Sequence, residues 1–380
     1  MIFSGIYNVN LKTKGHIGIK RKMLYQAKAF SEACGAFYLY CADGSDIVEI
    51  FLDSGLEKSR KVIFKNFGVG DFFKCLLGKL DQVIDSDAYY IRYYPMKNSD
   101  LSNLSKALSS KGKVFIELYT KEYRNELSIE DRLLDEKYFD FLYESVSAFF
   151  TIGEMLEGEK KNGIPLLKIS NGIDVDLECI PKINTPEVVL DFKCIGIGNI
   201  SIWHGYDIFL KSMYDFKKSD FSKRYNVTFD IYGSGDQIEN LKNLVDSYGL
   251  NDQVFFKGIV SSDSLSEIYS EYHLGVGTLA AYKTGIKYCE PLKHREYMLY
   301  GLPFLYGQRD SFNIEGALCL EQPNFSINIE DLIKWREGLH PEEKIKVMQD
   351  YCINNLTWLS SIRSVVDLMK GIDSTRGKDE

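Results

Sequence analysis

From end to end the 380-residue chain repeats one pattern: a short apolar run, a turn, then an amphipathic helix. Parallel strands need long crossover connections, so this alternation argues for helices packed on parallel sheets, the α/β class. The apolar runs predict strands at 2–7, 37–41, 62–64, 89–93, 114–118 and 148–151 in the first half. In the second half they fall at 193–197, 227–232, 254–256, 274–277 and 304–306. Between them, Leu241, Leu244, Val245 and Tyr248 share one helix face, as do Leu265, Ile268, Tyr269 and Tyr272. A last apolar stripe runs through Leu359, Ile362, Val366 and Met369. This length exceeds a single core, so two α/β blocks joined near 171–186 are expected.

Composition narrows the function classes. Hydrophobic residues make up 45% and charged residues 26%, as in a soluble globular protein. No apolar run reaches the roughly 18–20 residues needed to cross a bilayer, and the N-terminus has no basic, apolar leader pattern. The eight cysteines are scattered, which reads as reduced thiols in a cytoplasmic protein. A net charge of −8 disfavours a nucleic-acid partner. Residues 1–172 hold 24 Lys and Arg against 23 Asp and Glu; the rest hold 22 against 31. The first half carries basic clusters at Lys12, Lys14, Lys20, Arg21 and Lys22, and at Lys58, Arg60, Lys61 and Lys65. They read either as a solvated face or as one that meets an anionic membrane surface.

Residues 287–307, KYCEPLKHREYMLYGLPFLYG, carry the most chemistry. Pro291 suits a first helical position, which makes Glu290 the N-cap and puts Lys293 in the first turn. A cation there opposes the helix dipole, so an anion is expected to reward it. Glu296 follows on the same face, and Gly301 and Pro303 end the helix before a strand. Upstream, the run to Gly196 and Gly198 leads through a polar loop to His204-Gly205 and a helix. That layout is a phosphate cradle, or equally a tight strand-to-helix turn. A second strand meets Gly233-Ser-Gly235, and a third reaches Gly258-Ile259.

Taken in this order, the motifs resemble the donor half of retaining glycosyltransferases of family 4 with the GT-B architecture. The family pattern E-x7-E-x-M-A-x-G-x-P is matched in its second half by Glu296-Tyr-Met-Leu-Tyr-Gly301-Leu-Pro303. Its first Glu falls on Tyr288, with Glu290 two residues out of register. The PLK segment, Trp203-His204-Gly205, the YIRYY run at 90–94 and the stretch at 114–126 resemble the branch that builds capsular and exopolysaccharide chains. The family's Arg and Lys on the donor diphosphate correspond to Asn199 and His204. Lys293 would replace part of that charge, helped by His204 if protonated.

The resemblance implies two Rossmann-like domains facing a central cleft. Residues 1–172 with about 359–380 would form the acceptor-binding domain, and 173–358 the nucleotide-sugar domain, the last helix crossing back to the first. Asn171-Gly172 resembles the family's inter-domain turn. The donor-binding set would be Gly198, Asn199, Trp203, His204, Gly205, Gly233, Gly235, Gly258, Ile259, Tyr288, Glu290, Leu292, Lys293 and Glu296. On the acceptor side lie Gly15 and Gly18 of a glycine loop, its His16 as a candidate base, and Arg92 and Glu117 at two strand ends. A buried Arg92–Glu117 pair that only braces the loops is the alternative. Among these, His16, Glu117, Lys293 and Glu296 are the candidate catalytic residues.

Asp85-Ser86-Asp87 spells D-x-D but precedes a strand, so a turn is expected rather than a metal site, and no metal or cofactor is anticipated. The expected activity is sugar transfer from a nucleotide-diphosphate sugar to a saccharide, lipid-linked acceptor in cell-surface polysaccharide synthesis. The expected location is cytoplasmic, at the inner membrane surface. A nucleotide-sugar epimerase of the same fold, or a non-catalytic subunit of a transferase pair, are the rivals.

Overall fold

The computed structural model describes residues 1–12, 17–68, 70–175, 180, 183, 188, 190–261, 264–320, 327–339 and 343–371. The chain forms two compact units, Met1–Asp174 with Trp358–Glu380, and Val175–Thr357.

The first unit is built on a nine-stranded sheet. Its strands are β1 (Phe3–Asn10), β2 (Ala36–Asp43), β3 (Asp46–Asp53), β4 (Leu56–Phe64), β5 (Ala88–Arg92), β6 (Lys113–Glu117), β7 (Ala148–Thr151), β8 (Lys160–Lys161) and β9 (Ile164–Lys168). They lie in the order β4-β3-β2-β1-β5-β6-β7-β9-β8. The centre is parallel, and antiparallel β3 and β4 extend one edge. The helices are α1 (Ile17–Cys34), α2 (Phe72–Leu77), α3 (Asp100–Ser109) and α4 (Ile129–Phe139). Central strands such as β5 and β7 are buried along their whole length, because helices cover both faces.

The hairpin of β3 and β4 was not anticipated beyond 62–64. Residues 56–62 are exposed on both faces, so they carry no alternation for a sequence reading to detect. Lys58, Arg60 and Lys61 sit on this edge strand, where charged side chains discourage pairing with another chain.

The second unit holds a six-stranded parallel sheet in the order β12-β11-β10-β13-β14-β15. Its strands are β10 (Asp191–Asn199), β11 (Asn226–Ser234), β12 (Val254–Gly258), β13 (Leu274–Val276), β14 (Phe304–Tyr306) and β15 (Ala317–Cys319). Its helices are α5 (Tyr206–Lys217), α6 (Ile238–Tyr248), α7 (Leu265–Tyr269), α8 (Leu292–Leu299), α9 (Ile329–Glu337) and α10 (Glu343–Asn355). Phe192, Cys194, Val227, Phe229, Leu274, Val276 and Leu305 form the core with inward residues of α5 and α9. This strand order is that of a doubly wound nucleotide-binding fold, with its reversal between β10 and β13.

Helix α8 starts one residue later than expected. Pro291 is its N-cap in an extended conformation, so Glu290 lies outside the helix and Lys293 is its second residue. Its end follows the sequence signal. Gly301 adopts φ +67°, its N–H donates to the Met298 carbonyl (3.1 Å), and Leu302 N–H donates to the Tyr297 carbonyl (2.8 Å). These two bonds make a Schellman cap that requires the left-handed backbone glycine supplies.

The chain then returns to the first unit as α11 (Trp358–Gly371), which packs on α1 with Trp358, Ile362, Val366 and Met369 buried. Among the described residues no helix is long and apolar enough to cross a membrane.

Candidate functional site

Ligands of open α/β sheets bind beyond the carboxyl ends of the strands, where the strand order reverses. In the second unit that point lies between the ends of β10 and β13. The chain leaves β10 at Gly198-Asn199, makes a tight turn over Ile202–His204 and enters α5 through Gly205. Leu279 N–H donates to the His204 carbonyl (3.0 Å) and Ala280 N–H to the Trp203 carbonyl (3.1 Å), so the loops after β10 and β13 are tied together.

The glycines of this region answer first to packing. A Cβ on Gly233, at φ +123°, would run into the Gly198 carbonyl, and one on Gly198, at φ +149°, would stand 2.9 Å from His204 Nε2. The two glycine loops therefore touch each other whether or not a phosphate is present. Gly235 follows the end of β11, Gly258 ends β12, and Ile259 beyond it is exposed. Asn199 is exposed at the end of β10.

The charge of His204, left open by the sequence, is set by its surroundings. It is buried, its Nδ1 accepts the Ser201 N–H (3.0 Å), and Trp203 stacks on its ring at 4.0 Å. Burial, with the Lys293 ammonium nearby, holds its pKa well below the usual imidazole range. It is neutral at pH 7 and adds no positive charge to the site.

Lys293 is the cation of this site. It is 7% exposed, its Nζ donates to Tyr206 Oη (3.2 Å) and lies 5.1 Å from that ring's centre. Among the described residues no carboxylate lies within ion-pair distance of it. Burial lowers its pKa to about 7. A buried lysine with no carboxylate in ion-pair contact, only Glu296 acting on it from one turn away, lies on the first turn of a helix at a strand-order reversal, an arrangement suited to an anion. Glu296, one turn on and half-buried, accepts the Tyr269 hydroxyl (3.2 Å).

Beside Lys293 lies a buried network that sequence reading missed. Arg295, completely buried, donates to Glu290 (3.0 Å), to Asp310 (2.8 Å) and to the Ser311 hydroxyl (2.6 Å). His294 donates from Nδ1 to Asp310 (2.8 Å) and accepts the Thr278 N–H at Nε2 (3.2 Å). Tyr288 donates its hydroxyl to Glu290 (2.6 Å). Glu290 and Tyr288, expected to face the donor, are thus engaged with Arg295 and with each other. Leu292 is the partly buried first residue of α8. Asp310 is the first acid after β14, but α8 reads LKHREYML, a polar sequence that does not mark His294 and Arg295 as buried.

In the first unit, Gly15 and His16 lie outside the described residues. Gly18 is exposed in the first turn of α1. Arg92 and Glu117 end the adjacent strands β5 and β6 and are paired with each other. Glu117 also meets Lys22 (3.3 Å), Gln26 (2.9 Å) and Tyr90 (2.8 Å), all buried. This is the bracing arrangement, and a carboxylate so enclosed by donors is poorly placed to act on an acceptor. Lys22 correspondingly leaves the exposed basic cluster: it is buried against Glu117, 5.7 Å from the Trp358 ring centre. Asp85-Ser86-Asp87 is the irregular segment that leads into β5, where Asp85 pairs with Lys111 (2.6 Å) and Asp87 accepts the Ile2 N–H (2.6 Å).

Comparison with known proteins follows this geometry. Residues 189–307 match the family model described as Glycosyl transferases group 1. No curated protein sequence matches the chain at a significant level. Among solved structures it is similar to the apo form of the lipopolysaccharide outer core galactosyltransferase WaaB (TM-score 0.59, 10% identity, 97% of this chain and 99% of that one). It is also similar to sucrose-phosphate synthase from Thermosynechococcus elongatus (0.63, 13%, 97% and 98%). A third is a point mutant of S. aureus TarM in complex with Fondaparinux, alpha-GlcNAc-glycerol and UDP (0.53, 14%, 86% and 67%). These likenesses show the GT-B fold with two Rossmann-like units, and the segment match supports a glycosyltransferase.

Proposed function

We propose that the chain moves a sugar from a nucleotide-diphosphate sugar, bound at the β10–β13 end of the second unit, to a saccharide acceptor. The observation that carries this is Lys293, buried without a carboxylate partner among the described residues where a diphosphate would sit. The C1–oxygen bond to the diphosphate breaks and a C1–oxygen bond to the acceptor forms with retention. The departing diphosphate takes the acceptor's proton. The ammonium of Lys293 then stabilises the charge developing on the leaving group. Glu296 holds the ribose hydroxyls. No metal is needed, because Lys293 and the α8 N-terminus share that charge. UDP in the TarM complex's name supports a nucleotide ligand for this fold.

The test is a calorimetric panel of UDP, GDP and ADP with their sugars, run with and without EDTA, followed by transfer assays on saccharide acceptors. One nucleoside diphosphate should bind equally well in both buffers. Loss of binding on chelation, restored by Mg²⁺, would remove the metal-free part; no binding at all would remove the whole reading. Conversion of a donor to its epimer without acceptor would favour an epimerase.

Glu296→Ala should weaken nucleotide-sugar binding by about 1.5–3 kcal/mol, the loss of one charge-assisted hydrogen bond. Unchanged affinity in a folded variant would sink the ribose assignment.

We further propose a lipid-linked acceptor, with the exposed Lys58, Arg60, Lys61 and Lys65 approaching an anionic bilayer. Each such residue contributes about 1 kcal/mol near the surface. Replacing Lys58 and Lys61 by Glu should abolish co-sedimentation with phosphatidylglycerol vesicles at low salt, leaving nucleotide affinity intact. Equal sedimentation of both proteins would make these lysines edge protection alone.

A further inference from the structure

Two polar side chains beside this site are buried without a hydrogen-bond partner. Gln308 is 5% exposed, and neither Nε2 nor Oε1 is bonded; Thr278 is 0% exposed, and its Oγ1 is likewise unbonded. Among the described residues, Gln308 is the one whose side-chain amide has both atoms buried and unbonded. Its backbone carbonyl, by contrast, accepts the Cys319 thiol (3.7 Å), so the main chain is fixed while the side chain is left over.

The two residues are neighbours across the sheet. Gly277 N–H donates to the Leu305 carbonyl and Gly307 N–H to the Thr278 carbonyl, both at 2.8 Å, which places Thr278 and Gln308 just past the carboxyl ends of β13 and β14. Thr278 N–H donates to His294 Nε2, and His294 is the residue next to Lys293. Both residues therefore lie at strand ends next to the elements that hold the buried cation, at the edge where ligands of this fold bind.

A buried amide or hydroxyl that makes no bond is costly, and folded proteins keep few of them. We propose that Gln308 and Thr278 form a subsite that reads an uncharged polar substituent, a hydroxyl or acetamido group, on the sugar being transferred. This rests on the donor-site reading above. The chemistry argues for sugar rather than phosphate. Both groups are neutral, and both offer a donor and an acceptor. A sugar hydroxyl donates and accepts in the same way. Sites built to bond a hydroxyl also reject analogues that lack it, so these residues set which sugar is accepted.

Calorimetry with UDP, GDP, ADP, UDP-glucose, UDP-galactose, UDP-N-acetylglucosamine, GDP-mannose and ADP-glucose tests this on the full chain. One nucleotide sugar should bind wild type about tenfold or more tighter than its own nucleoside diphosphate. Gln308→Leu and Thr278→Val should erase that advantage and leave the nucleoside diphosphate affinity as it was. The melting temperature of the free variants should hold or rise, because an unbonded polar group is replaced by an apolar one of similar shape. Gln308→Met serves if the leucine variant does not fold. An unchanged sugar-to-diphosphate ratio in folded variants, or an equal loss of both ligands with a lower melting temperature, would overturn the subsite and leave the donor site standing. If wild type binds no nucleoside diphosphate, the donor site falls and the subsite with it.

Discussion

Lys293→Met is expected to make the second unit more stable and to remove its affinity for a diphosphate. One pKa unit corresponds to about 1.4 kcal/mol, so a lysine shifted from 10.5 to about 7 costs at most about 5 kcal/mol when held charged. With relaxation around the site, we expect a gain of about 2–4 kcal/mol at pH 6. For a unit of this size that raises the melting temperature by roughly 4–16 °C. The sign with pH follows from proton counting. Between about pH 7 and 10.5 the unfolded chain binds the lysine proton and the native one does not, so wild-type stability rises across that window. The advantage of the methionine variant should shrink over the same window. Binding moves the other way: only the ammonium form attracts the diphosphate, so wild-type affinity for the bound nucleoside diphosphate should weaken as pH rises from 7 to 9. The methionine variant should bind weakly at every pH. Thermal melts and calorimetry at pH 6, 7.5 and 9 measure both. A variant less stable than wild type at pH 6 would show that Lys293 is a structural residue.

Asp310→Ala should be the most destabilising single change in the second unit, by about 3–5 kcal/mol. It removes the acceptor for both Arg295 and His294 and leaves a buried guanidinium with Glu290 as its remaining carboxylate. Asp310→Asn should cost less, since an amide oxygen still accepts one bond. The same network makes the unit sensitive to acid. Burial lowers the His294 pKa to about 4, below its unfolded value near 6.5. Between those values the unfolded chain takes up a proton that the native one refuses, so stability is lost as pH falls from 6.5 to 4. Urea titrations at pH 7 and pH 5 check both effects. An Asp310→Ala variant within 1 kcal/mol of wild type, a size typical of ordinary surface changes, would mean the network is loosely packed.

The strands buried on both faces were legible, because continuous apolar runs between turn residues leave few other readings. Those at Ala148–Thr151 and Phe304–Tyr306 have the bounds the sequence predicts. The end of α8 was legible for a chemical reason, since Gly301 and Pro303 terminate helices in themselves. The exposed strand β4 was not, because a segment wet on both faces has no burial period. In the site, Lys293 announced itself as a cation on a first helical turn. Asp310, Gln308 and Thr278 did not. Their importance comes from neighbours on other strands and on α8, and a polar residue just past a strand end looks like any loop residue until the sheet is assembled. Whether His204 carries a charge stayed open for the same reason, since burial sets its charge and burial is not written in a loop.

The contact between Gly198 and Gly233 has a consequence for how this fold ages. Gly233 is required by the Gly198 carbonyl, and Gly198 by His204 and its own backbone angle, so a descendant that had stopped binding nucleotides would still need both, and its glycine pattern would look intact. Lys293 is under the opposite pressure. It costs stability in every molecule, and random drift toward methionine or leucine would be welcomed once no ligand repaid it. In a lineage of such chains, a retained lysine at this position is therefore a better sign of a working site than the glycine loops around it.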